Sequence, residues 1–223
     1  MARRFFCQWY KRVGKRVFDL IVASVAGVVL LPVSLLIALA IRISMGSPVI
    51  FKQVRPGLNG KPFVMYKFRT MLDLRDEQGN LLPDEKRLTR LGKFLRRFSL
   101  DEIPELWNVI KGDMSIIGPR PLLMEYLPLY TPEQARRHEV KPGMAGPVIM
   151  SGRNLLSWEE KFKLDVWYVD NLSFKIDIQI FLRSLWKVLK GEGVAAPNHV
   201  TMPKFKGKQA RHNEDGSKRA FYD

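Results

Sequence analysis

The stretch LIVASVAGVVLLPVSLLIALAI, Leu20 to Ile41, runs for 22 residues without a charge. As a straight helix it would be about 33 Å long, enough to cross the hydrocarbon core of a bilayer. A signal peptide has a shorter apolar core followed by a small-residue cleavage site, so that reading is rejected. A fully buried helix of a soluble protein is the other way to use such a run. Pro32 falls near its middle, where it removes a backbone donor and kinks a helix.

The flanks carry a second signal. Residues 1–16 hold Arg3, Arg4, Lys11, Arg12, Lys15 and Arg16 and no acid. Residues 42–69 hold Arg42, Lys52, Arg55, Lys61, Lys67 and Arg69, again with no acid. Positive charge marks the cytoplasmic side of a span, and here both ends claim it. A re-entrant hairpin, bent near Pro32 and returning to the face it entered, satisfies length, charge and proline together. A kinked span with a basic tail outside is the alternative. Basic flanks also attract anionic membrane lipid, by about 1 kcal/mol per charge near the surface.

Composition bounds the rest. The 223 residues are 46% hydrophobic, enough for a core, yet the net charge is +15. Such a balance calls for an anionic partner: nucleic acid, lipid head groups or phosphorylated substrates. The single cysteine, Cys7, rules out an intramolecular disulfide, and His138, His199 and His212 are scattered with no zinc-type spacing. The chain divides into 1–44 (basic N-terminus and membrane segment), 45–193 (a catalytic-domain-sized body) and 194–223 (a polar tail expected to be mobile).

Within the body, Val49–Val54 and Phe63–Phe68 read as strands joined by the turn Leu58-Asn59-Gly60-Lys61. Residues 72–84 read as a polar loop. Leu88, Leu91, Leu95 and Phe98 line one face of a predicted helix over 85–98. Ser99-Leu100-Asp101-Glu102 fits a capping box opening a helix that ends near Gly112. Thr131-Pro132 and Ser157-x-x-Glu160 start two more helices. A last one is expected over Lys175–Lys190. Helices that combine Trp or Phe with Lys/Arg suit a membrane interface, and equally the surface of a soluble core.

No Walker loop, dinucleotide fingerprint or nucleophile elbow is present. Lys67 and Arg69 share a strand face and offer two cations for a pyrophosphate; a solvated strand face is the simpler reading. Asp101-Glu102 follows an arginine-rich helix. Acids in a first helical turn suit the dipole, but an acid among arginines also suits a Mg²⁺–phosphate site, and an aspartate can attack phosphorus. Pro119-Arg120-Pro121 presents one arginine on a stiff loop for bidentate phosphate contact. Arg153 in SGRN repeats that pattern more weakly.

Taken as a set, KRVFD (15–19), QVRPG (53–57), YKFRTM (66–71), SLDEIPELWNVIKGDMSIIGPRP (99–121) and PGMAG with SGRN (142–154) resemble the bacterial sugar transferase family, the small monotopic phosphoglycosyl transferases. The resemblance covers about residues 11–193. It implies an α+β, membrane-associated, monotopic fold: a re-entrant helix-break-helix, interfacial amphipathic helices and a small β-hairpin, on the cytoplasmic face of the bacterial plasma membrane. It also implies that Asp101 attacks the β-phosphate of a UDP-sugar with Glu102 assisting. UMP would leave, and polyprenyl (undecaprenyl) phosphate would then take the phosphosugar from the enzyme. Mg²⁺ near Asp101, and Lys67, Arg96, Arg120 and Arg153 as basic site residues, come with the resemblance. PglC-like members have Ser-Pro at the break; this chain has Leu31-Pro32, so the serine hydroxyl that would meet a freed carbonyl is missing there. A membrane-anchored nucleic-acid-binding protein and a scaffold without chemistry are the competing readings. No nucleic-acid motif or single basic tract supports the former, so no nucleic acid is expected as a partner. A homodimer is left open by the sequence.

Overall fold

The computed structural model describes residues 9–148, 156–190 and 204–207. A π-turn at Tyr10–Gly14 runs into helix α1 (Lys15–Val29), and α2 (Leu31–Met45) follows with a bend of 60° between them. Pro32 sits in the first turn of α2, where its missing N–H costs least. The Ser34 hydroxyl donates to the Leu30 carbonyl at 2.8 Å. The same carbonyl also accepts the Ser34 amide at 2.8 Å, so it is not one freed by the proline, and Ser34 does not replace the serine absent before it. Among the described residues no single helix is long and apolar enough to cross a membrane; the bent pair could, by length and composition.

Both arms of the bend pack on one body. Asp19, 2% exposed, accepts the Ser115 hydroxyl at 2.8 Å and the Ile116 amide at 2.9 Å. This is why an acid sits just ahead of an apolar run. Arg16 donates to the carbonyls of Val109 (2.6 Å) and Ile110 (2.7 Å). Lys15 reaches Asp177 at 2.8 Å. These two cations, counted above as membrane flank, serve tertiary contacts. On the other arm, Ile37, Ile41 and Met45 pack with Phe68 and Leu95.

The hairpin forms where expected, with β1 (Ile50–Pro56) and β2 (Pro62–Phe68) paired antiparallel, Val54 opposite Val64. Asn59 and Gly60 take positive φ in the turn, as a tight hairpin needs. The outer edge of β2 is covered by Asn108, fully buried, which accepts from the Tyr66 amide (3.1 Å) and donates to the Val64 carbonyl (2.7 Å). The polar segment after β2 is irregular and turns on Asp76, which accepts the amides of Gln78 and Asn80.

The predicted 85–98 helix is two pieces, α3 (Asp84–Arg87) and α4 (Arg90–Arg97), broken because Leu88 is extended and Thr89 caps the second by accepting from the Gly92 amide at 2.9 Å. A Cβ on Gly92 would lie 2.0 Å from the Thr70 carbonyl oxygen, so only glycine lets α4 sit this close to the end of β2. The expected Ser99 capping box does not form. Ser99 is left-handed (φ 53°) and its side chain caps nothing; a 3₁₀ turn, Leu100–Glu102, follows, and Pro104 rather than Ser99 heads α5 (Glu105–Lys111). Pro104 has no N–H to give the Leu100 carbonyl, which takes the Ile103 amide instead at 3.4 Å, so Leu100–Glu102 winds as a 3₁₀ turn apart from α5.

Strand β3 (Ser115–Ile117) pairs in parallel with β4 (Gly143–Ala145). Between them lie a 3₁₀ segment (Met124–Leu129), α6 (Pro132–Ala135, with the Thr131 capping box) and a 3₁₀ turn (Arg136–Glu139). Two long helices close the fold: α7 (Trp158–Asn171), opened by the Ser157–Glu160 capping box, and α8 (Phe174–Leu189). Asp177 on α8 is fully buried and accepts from Tyr10, Lys15 and Tyr168, tying the first helix to the last. Within the span read as a polar tail, residues 204–207 are described, and Phe205 there is buried at 8% exposure; the rest of that span lies outside the described residues.

Candidate active site

The 3₁₀ turn presents two acids in different settings. Its tighter winding sends successive side chains about 120° apart. Glu102 points to cations: Lys67 Nζ donates to its Oε1 at 2.8 Å, and Arg120 Nη2 donates to the same oxygen. Asp101 points elsewhere. It is 8% exposed and has no hydrogen-bond partner among the described residues.

Their protonation follows from that difference. Burial and the adjacent Glu102 charge push the Asp101 carboxyl up, against the pull of Lys67, Arg96 and Arg120. Burial also acts on Glu102, but the charges of Arg120 and Lys67 and their hydrogen bonds outweigh it and hold this carboxyl well below the usual range. One acid is thus a permanent counter-ion, and the other a poorly solvated carboxylate with its lone pairs unspent.

Three parts of the chain deliver these cations. Lys67 comes from β2, placed by the Asn108 clasp on the neighbouring residue. Arg96 comes from α4, its Nε donating to Thr70 Oγ1 at 3.1 Å and its charge felt most by Asp101. Arg120 comes from the loop after β3. That loop is fixed where the two backbones meet: a Cβ on Gly143 would lie 2.0 Å from the Gly118 amide nitrogen, and the Gly143 amide bonds the Pro119 carbonyl at 3.0 Å. The Arg120 side chain is 47% exposed and, among the described residues, only one of its five donors is spent, on Glu102. Glu102 raises the Arg120 pKa further. Arg120 is therefore a charged fork, held at one tine and open at the others.

Three groups enter that the sequence reading missed. Glu105, 3% exposed, lies 3.0 Å from Lys67 Nζ. Burial lifts its carboxyl to about 7; Lys67 pulls it down and Glu102 pushes it up. Its signal was present in the spacing, one turn beyond Glu102, but a first-turn acid has a bland explanation. Arg55, from β1, feels the charges of Arg120 and Glu105 and joins the cluster; it had counted only as flank charge. Arg137 is buried, grips Asp165 Oδ2 (2.7 and 3.0 Å) and donates to the Arg120 carbonyl at 2.8 Å. Nothing in its spacing marks it.

One expected residue is not brought in. Arg69 follows the last residue of β2 and spends its guanidinium on the carbonyls of Met71, Met45 and Ser47. It fastens the exit of α2 to the hairpin. Arg153 lies outside the described residues.

No group of three or more His, Cys, Asp or Glu side chains gathers around a point among the described residues. An all-protein metal cage is therefore absent from that set. Asp101 offers one hard oxygen donor within reach of the charges of Lys67, Arg96 and Arg120. This fits a divalent ion such as Mg²⁺, which takes one or two carboxylates and fills its shell with water and phosphate oxygens.

Comparison with known proteins gives this geometry a context. The family model described as bacterial sugar transferase matches residues 10–191, close to the span over which the motifs run. The "Uncharacterized sugar transferase EpsL" of Bacillus subtilis (strain 168) is 58% identical over 194 residues, covering 86% of this chain and 96% of that protein. The UDP-galactose-lipid carrier transferase of Erwinia amylovora is 36% identical over 196 residues, 80% of this chain and 41% of that one. The UDP-glucose:undecaprenyl-phosphate glucose-1-phosphate transferase of Escherichia coli (strain K12) is 36% identical over 186 residues, 79% and 40%. The chain thus spans nearly the whole of the first and about two fifths of the other two.

Proposed function

The chain belongs to the bacterial sugar transferase family, and from that premise we propose that it moves a sugar 1-phosphate from a UDP-sugar to undecaprenyl phosphate, releasing UMP. The observation that carries this reading is the split dyad: Asp101 with no hydrogen-bond partner among the described residues, Glu102 neutralised by Lys67 and Arg120. The relatives from Erwinia and Escherichia are named for a UDP-sugar and a lipid carrier and for undecaprenyl phosphate, and the same substrate classes suit this site.

Phosphoryl transfer asks a protein mainly for position and charge. The unspent donors of Arg120 take non-bridging oxygens of the diphosphate, with Arg96 and Lys67 behind it. An Asp101 carboxylate oxygen attacks the β-phosphorus. The bond from that phosphorus to the bridging oxygen breaks, and the electron pair leaves on UMP. The phosphosugar is then an acyl phosphate on Asp101. An oxygen of undecaprenyl phosphate attacks the same phosphorus, the acyl phosphate bond breaks, and Asp101 returns as carboxylate. Bound through Asp101 and the substrate phosphates, Mg²⁺ would supply further charge neutralisation at the diphosphate.

Membrane seating belongs to the same proposal. Ile21, Val25, Val28, Leu35, Leu36 and Ile43 on the bent pair are all more than half exposed, an apolar surface larger than water tolerates singly. Since α1 is tied to β3 and α5 while α2 is tied to β2 and α4, both ends stay with one body. Re-entry from the cytoplasmic face accommodates this; a span would put one end on the far side. Trp186, Leu182 and Leu185 on α8 add an exposed apolar face suited to the interface.

The test is UMP release by detergent-solubilised protein given Mg²⁺, undecaprenyl phosphate and a panel of UDP-sugars. One sugar should support release, and Asp101→Asn should lower it by more than about a thousandfold with helix content unchanged. Near-normal release from the Asn variant would remove the covalent route.

A further inference from the structure

Behind the Arg120 loop lies an aromatic pocket that the proposed reaction leaves unused. Tyr126 and Tyr130, in and just after the 3₁₀ segment, and Trp158 and Phe162 on α7 surround the ring of Phe205 with centroid distances of 5.7, 6.0, 5.7 and 5.0 Å. The Phe205 amide donates to the Tyr126 hydroxyl at 3.1 Å, and Lys204 pairs with Glu125 at 3.2 Å. The family match ends at residue 191, so this occupant comes from beyond it.

The pocket's other face is the bed of Arg137. Its guanidinium lies 5.8 Å from the Tyr130 ring and 5.7 Å from the Phe162 ring. The same guanidinium donates to the Arg120 carbonyl at 2.8 Å, and the Arg120 side chain pairs with Glu102. Phe205 therefore closes the stack on which the clamp of the Arg120 loop rests. Without that ring, Tyr130 and Phe162 lose packing on one side, and aromatic rings under a cation hold it best when they are themselves fixed.

The geometry points to two linked roles: the four-ring pocket is an intramolecular binding site for an aromatic side chain of the C-terminal segment, and Phe205 seated in it is a positioning residue for Arg120. The second role rests on the transferase reading of the Arg120 site; the first does not.

Two measurements on the full-length chain in detergent decide it. In amide exchange, the Gly118 and Gly143 amides, which bond the carbonyls of Ala145 and Pro119 and hold the base of the Arg120 loop, should exchange about tenfold faster in Phe205→Ala. The β1–β2 hairpin should be unaffected. In UMP release, kcat/KM should fall about tenfold, a small displacement of a positioning group being enough. The peptide VTMPKFKGKQA (residues 200–210) added in trans should restore it, and the same peptide with alanine for Phe205 should not. Phe205→Leu, which keeps most of the volume, serves if the alanine variant does not fold. Unchanged exchange at Gly118 and Gly143 would overturn the positioning role, and so would acceleration spread equally over the hairpin, which would mean general stabilisation alone. If wild-type protein released no UMP from any sugar, the transferase reading would fail while the exchange result still decided whether Phe205 supports the loop.

Discussion

Lys67 serves two carboxylates at once, Glu102 at 2.8 Å and Glu105 at 3.0 Å. Glu105 takes the weaker share, and its carboxyl sits near 7 because burial and the Glu102 charge together exceed the help from Lys67. A carboxyl raised on folding binds its proton more tightly in the native state, so its ionisation weakens the fold as pH rises from about 4.5, the ordinary value, through 7. Glu105→Gln removes that dependence while keeping polar contact with Lys67. The expected result is a variant whose stability relative to wild type improves across pH 5 to 8, by at most about 3 kcal/mol, and levels off above. A pH-independent difference in thermal unfolding would show that Glu105 does not titrate there. At this scale the sequence marked Asp101, Glu102, Lys67 and Arg120. Arg69 was misplaced because period-2 alternation fixes a side-chain face only while the strand lasts, and β2 ends at Phe68.

Elements were legible where the signal was local. The Thr131 and Ser157 caps and the Asn59-Gly60 turn depend on residues three or four apart, and they formed as read. The Ser99 box had the same local pattern but lost to Pro104, which shifted the helix start by several residues. Other joints have no local signature. Asn108 clasps the open edge of β2 across a sequence gap of 44 residues to Val64. Asn108→Ala would leave the Tyr66 amide and Val64 carbonyl unpaired in the interior, at a cost of about 2–4 kcal/mol. Thermal unfolding should report that loss, and the Tyr66 amide should become the fastest-exchanging site on its strand. A variant of wild-type stability would mean the strand edge is satisfied otherwise.

The whole molecule is organised by its ends. Asp177, fully buried on α8, joins Tyr10, Lys15 and Tyr168, so the first arm of the bent helix pair is held by the last helix of the body. In a background of Cys7→Ser, cysteines placed at Lys11 and Ser47 should both resist a membrane-impermeant maleimide in intact cells and both react after permeabilisation. Labelling of position 11 alone in intact cells would establish a span. The sequence by itself determined the apolar run and its proline break, the hairpin, most helices and the acidic dyad, because each is written in residues within a few positions of one another. Only the tertiary structure decided that Lys15 and Arg16 are staples, that Glu105, Arg55 and Arg137 lie with the acidic dyad and Arg120, and that Phe205 returns to an aromatic pocket. Those contacts join residues dozens of positions apart, and their energy comes from burial and charge pairing that exist only once the chain has closed on itself.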